Sequence, residues 1–258
     1  MIKNKIIDFN QIIILSGLFG LFIYFFMQGP IPQTEHYHQF ADSRFLLIPN
    51  YQNVISNFIF LFAAAYGFLF VDFTKAQRNE KVYLYALIFG VFLTSVGSAY
   101  YHYNPKTEAL FWDRLPMCFG FIGFLMWLLS KTAVKKNDLV LFVIGLISAV
   151  GSVVYWSYTE SIGLGDLRPY LFVQFGVILV ALLVFILYRN ASYPRKSCFY
   201  MLLFYVLAKV FEILDVKIYE VSLEITSGHA LKHLLAGYGI YLFFRYLPGN
   251  YLKRKLSF

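Results

Sequence analysis

Long apolar runs separated by short polar breaks set the terms on which this chain can fold. Eight stretches are each about as long as a bilayer crossing requires: Ile12–Met27, Asn53–Phe70, Val82–Tyr101, Asp113–Leu129, Leu139–Tyr158, Pro169–Tyr188, Ser197–Val216 and Ser227–Tyr246. Only 14% of the 258 residues are charged, against about a quarter in an ordinary soluble domain. In lipid every backbone polar group must be satisfied within the protein, so runs this long and this evenly apolar are helices rather than barrel strands. The expected fold is an all-α polytopic membrane protein with a seven-helix transmembrane core and one extra N-terminal transmembrane helix. The expected divisions are 1–30 for the extra helix, 31–52 for an outer loop, 53–246 for the core and 247–258 for a basic cytoplasmic tail. Gln28-Gly-Pro-Ile-Pro offers no small-x-small cleavage site, so the first run is expected to remain as a helix.

The net charge of +8 does not point to nucleic acid. The basic residues lie in short breaks between spans, where the positive-inside rule places them. With the N-terminus inside and the spans alternating, fifteen of the 22 Lys and Arg residues fall on the inner side and four on the outer. Both termini are therefore expected in the cytoplasm. Cys118 and Cys198 sit in apolar runs and are expected as buried packing residues.

That orientation brings five unusual residues to one depth. Ser98 and His102 end the third span and Asp113 begins the fourth. His229 and His233 begin the eighth. Residues four apart share a helix face, so each pair can address one point. Ionisable groups inside a span are costly and mark function by default. Three imidazoles can hold Zn2+ and leave a fourth position open, as catalytic rather than structural zinc sites do. Zinc lowers the pKa of water it binds to about 7. Asp113 would manage the proton of that water, and Ser98 would support the oxyanion. Glu212 and Asp215, on the seventh span, are expected to form an ion-pair network with Lys209 and Lys232. His36 and His38 are expected to be solvated in the outer loop. Tyr100, Tyr101 and Trp112 are expected in an interfacial belt.

Ser98-x-x-x-His102, Asp113 and His229-x-x-x-His233 resemble the pattern of the alkaline ceramidase family. The strings Ile48-Pro-Asn-Tyr-Gln-Asn-Val-Ile-Ser-Asn57, Val96-Gly-Ser-Ala-Tyr-Tyr-His102, Trp112-Asp-Arg-Leu-Pro-Met117 and Ser227-Gly-His-Ala-Leu-Lys-His233 are similar to its bacterial branch. That family belongs to a wider superfamily of seven-helix membrane hydrolases that includes adiponectin-receptor-like proteins. The resemblance covers about residues 42–246. It implies an intramembrane zinc site of His102, His229 and His233, with Asp113 and Ser98 catalytic. It also implies hydrolysis of the amide of ceramide or a related N-acyl lipid to a fatty acid and a sphingoid-type amine. Eukaryotic members carry an acidic calcium-binding segment. The matching region here offers Asp42, Asn50, Asn53 and Asn57 with Arg44 alongside, so calcium is not expected. The expected setting is a bacterial inner membrane with the site facing outward and a membrane lipid as the partner. The alternative is a zinc-containing lipid-binding or receptor-like protein without turnover. A proton path through Lys209, Glu212 and Asp215 is disfavoured, because no two spans share matched Gly/Pro breaks.

Overall fold

The computed structural model describes residues 8–44, 46–134, 136–191 and 193–247. Lys3, Lys5, Lys135 and the basic tail beyond Leu247 lie outside the described residues. The described residues are helical apart from loops and one isolated bridge between Leu46 and Ile48.

The helix α1 (Phe9–Met27) opens on a capping box, in which the Asp8 carboxylate accepts from Asn10 N and the Gln11 side chain accepts from Asp8 N. It packs mainly on α7 (Arg168–Leu187) and is scarcely buried, as befits a helix added outside a core. A strap follows, with a 3-10 turn at Glu35–His38, and leads into α2 (Tyr51–Ile55) and α3 (Phe58–Phe70). Then come α4 (Arg78–Tyr103), α5 (Thr107–Lys131), α6 (Asp138–Ser161), α7, α8 (Arg195–Ile213), α9 (Asp215–Val221) and α10 (Gly228–Arg245).

Six segments are long and apolar enough to cross a membrane: α1, α2 with α3, and α4 to α7. A seventh forms only if α8 and α9 are counted together, and those two are bent by 77° at Leu214. The expected run Ser197–Val216 therefore stops at Ile213. Residues 215–221 turn aside to reach the start of α10, and tertiary contact there overrides the apolar pattern. The helix α10 coincides with the expected Ser227–Tyr246, but its first two turns carry two histidines and a lysine. It is also wrapped by α3 and α8, with Phe243 and Phe244 fully buried.

The contact between α4 and α5 is the most extensive in the fold. Its closeness has a local cause. The helix α5 starts at Thr107 rather than Asp113, because Ala109 and Leu110 are buried and extend it outward. Pro116 thus falls inside the helix and cannot donate to the Trp112 carbonyl. Gly97 of α4 lies directly on that carbonyl, where a Cβ would sit 1.9 Å from the Trp112 oxygen. No side chain larger than hydrogen fits there without moving the backbone, so the glycine brings Ser98 against Asp113.

Candidate metal centre and its cavity

His102 occupies the last turn of α4. Its carbonyl accepts from the Asn50 side-chain amide at 2.9 Å. Asn50 caps α2 in the left-handed region at φ 49°, a conformation asparagine tolerates better than most residues. His229 and His233 lie on successive turns of α10, whose first turn is capped by Ser227 accepting from Ala230 N at 3.1 Å. Gly228 lets the chain pass close to α8 and α9, since a Cβ there would meet the Phe211 carbonyl at 2.2 Å. The Asp215 carboxylate spans this junction. One oxygen accepts from His229 N at 2.7 Å and the other from Ala41 N at 2.9 Å.

The three histidines are buried, and each offers a ring nitrogen within 4.8 Å of the others. His102 Nε2 and His229 Nε2 face each other at 3.4 Å. His233 is oriented by Ser56, whose Oγ lies 2.8 Å from Nδ1. The Ser56 hydroxyl donates its own hydrogen to the Asn53 carbonyl at 3.2 Å. Nδ1 of His233 must then be the donor to Ser56, which leaves Nε2 with a bare lone pair. Phe40 covers the cluster, its ring centroid 4.8 Å from that of His102 and 4.6 Å from that of His229. These convergent nitrogens suit a divalent ion of borderline softness. The Lys232 ammonium lies 2.8 Å from one of them, His229 Nε2.

His233 also reaches the wall of a cavity of about 440 Å³. Ser98, Asp113, Arg114, Glu212 and Lys232 share its polar end. The rest is apolar, with Phe60, Val91, Phe124, Leu202 and Ile240 among its walls. Ser98 and Asp113 face the same cavity from adjacent helices. Ser98 is buried, whereas Asp113 is half-buried and open to the cavity.

The structure thus gathers Ser98, His102, Asp113, His229 and His233 at one end of the bundle. It divides the expected four-residue network. Lys209 and Lys232 both pair with Glu212, the latter at 3.3 Å. Asp215 stands apart, because backbone amides of the strap and α10 take its oxygens. His38 is half-buried and hydrogen-bonded, not simply solvated. Its ring bonds Tyr101 Oη at 2.9 Å and Thr107 Oγ1 at 3.0 Å, and burial lowers its pKa. Tyr101 lies in the core rather than an interfacial belt, while Tyr100 and Trp112 are exposed. The Asp42 carboxylate is held by Arg44 through Nε at 2.8 Å and Nη2 at 3.1 Å. Sequence reading passed over Ser56 and Phe40, and weighed Asn50 only against a calcium site. The only trace of Ser56 was its place in the string Ile48–Asn57.

Comparison with known families gives one result. The family described as Ceramidase matches residues 45–255, which include all five clustered residues. No curated protein matches the chain.

Proposed function

The chain belongs to the ceramidase family, and from that membership we propose that it hydrolyses the amide of ceramide or a related N-acyl lipid within the membrane. From ceramide the products are a fatty acid and a sphingoid-type amine. The observation that carries this is the convergence of three buried imidazoles beside Ser98 and Asp113 at the polar end of an apolar cavity.

His102, His229 and His233 would hold Zn2+, with His233 using Nε2 because Ser56 engages its other nitrogen. When bound, zinc supplies Lewis acidity toward the amide carbonyl and acidifies water. The chain's own groups do the rest. Asp113 accepts a proton from the attacking water as its oxygen bonds to the carbonyl carbon. It returns that proton to the nitrogen as the C–N bond breaks, leaving a carboxylic acid and an amine. Ser98 donates to the carbonyl oxygen as negative charge gathers there. Glu212 pairs with both Lys209 and Lys232, offsetting part of the positive charge beside the histidines. The apolar walls take the acyl chain and exclude bulk water, and Phe40 shields the imidazoles from the strap side.

The test is Asp113→Asn in purified protein, with zinc content and fatty acid release from N-palmitoylsphingosine measured together. Zinc should stay near one per chain while turnover falls at least about 100-fold. Undiminished turnover would remove Asp113 from the chemistry. Stoichiometric zinc in a wild type that cleaves no N-acyl lipid would favour a lipid-binding role without turnover.

A further inference from the structure

Arg114 follows Asp113 on α5, lines the same cavity and is 6% exposed. The hydrolytic chemistry gives it no task. A buried guanidinium ordinarily rests on a carboxylate, because an uncompensated charge in a low-dielectric interior is costly. Among the described residues Arg114 belongs to no ion pair. Aromatic rings surround it instead, with Trp156 4.2 Å, Tyr170 5.2 Å and Tyr37 5.6 Å from the guanidinium carbon. Nη2 donates to the Gln33 side-chain oxygen at 2.7 Å. Nη1 is buried and has no protein partner among the described residues. Glu160 is engaged elsewhere, since its Oε1 accepts from Gln33 N at 2.6 Å and from the Trp156 indole at 3.0 Å.

The charges at the polar end of the cavity point the same way. Arg114, Lys209 and Lys232 line it against only Asp113 and Glu212, so one positive charge is in excess. Glu212 serves both lysines, and Asp113, the other carboxylate, makes no ion pair with Arg114 among the described residues. The rings hold its planar fork in place, and a rigid, dry guanidinium is suited to a carboxylate.

We propose that Arg114 is an anion-recognising subsite, and that the lipid taken by this cavity carries a carboxylate on its amine half, next to the amide. Within the N-acyl lipids proposed above, the substrate class is then an N-acyl amino acid lipid, whose amine product is an amino acid in place of a sphingoid base. The acyl chain occupies the apolar body. The carboxylate lies beside the scissile amide, at the level where Gln33 and Tyr37 of the strap close the cavity. This assignment rests on the amidase reading for its reaction, so its test is made on binding.

Full-length protein in detergent, zinc-loaded and after chelation, would be titrated with N-palmitoylglycine and with N-palmitoylethanolamine. The two share a tail and an amide and differ in a carboxylate against a hydroxyl. The wild type should bind the acid about tenfold more tightly, since a charge-assisted pair is worth at least that factor. Arg114→Gln should bring the ratio to about one, and Arg114→Lys should keep part of it. If Arg114→Gln does not fold, the wild-type ratio and Arg114→Lys still decide. Equal wild-type affinity for the two lipids, or a preference that survives Arg114→Gln, overturns the proposal and leaves Arg114 as a packing cation. A binding preference with no cleavage of either lipid by the zinc-loaded wild type supports the subsite and counts against the amidase reading alone.

Discussion

Ser56 bears no charge and stands 177 positions from His233, yet its hydroxyl decides which imidazole nitrogen is free. Such supporting partners typically carry a 10- to 100-fold effect on metal affinity. Ser56→Ala should therefore weaken zinc binding about tenfold or more in a chelator competition titration, and Ser56→Thr should restore most of it. Unchanged affinity in Ser56→Ala would mean that packing alone orients His233. The histidines and Asp113 were legible because an ionisable side chain stands out in an apolar run, and because a spacing of four puts two of them on one face. Ser56 and Asn50 were not, since a hydroxyl or amide in a loop looks the same whether it faces water or a histidine. Asp215 was read as a counter-ion from its charge. Its true partners are two backbone amides, which no side-chain pattern encodes.

Among the elements, the pairing of α4 with α5 fixes the distance between Ser98 and Asp113. It depends on Gly97 resting on the carbonyl that Pro116 leaves without its donor. Gly97→Ala forces the two helices apart. It should destabilise the protein by about 2 kcal/mol, within the range for overpacked interiors. The readout is denaturant unfolding in detergent, with ceramide hydrolysis lost at the same time. Wild-type stability and turnover would show that the helices yield at no cost. Most of the helices were visible as apolar runs, and most of their ends were placed within a few residues. Two boundaries were not visible. Thr107-Glu108 reads as loop but begins α5, because the residues behind it are buried. The run through Leu214 reads as one helix but breaks, because Asp215 is drawn to the start of α10.

At the scale of the whole molecule, the clustered residues occupy one end of the bundle, and Lys131, Arg195, Lys196 and Arg245 lie towards the other ends of their helices. From this charge bias we propose that the basic end faces the cytoplasm and the histidines face outward. Cys118 and Cys198 are buried, so introduced cysteines can be read against a quiet background. In intact cells a membrane-impermeant maleimide should label Ser43→Cys at once and Lys136→Cys only after lysis. The reverse pattern would invert the orientation. The strap's part was not legible in the sequence, because one loop supplies Gln33 to Arg114, Phe40 to the imidazoles and an amide to Asp215. The three imidazoles come from α4 and α10, so the first and second stand 127 positions apart along the chain. During synthesis a ribosome must complete nearly the whole bundle before a metal can be gripped by more than one nitrogen. Nascent and truncated chains are thereby unarmed, and a captured ion staples the middle of the polypeptide to its last described helix.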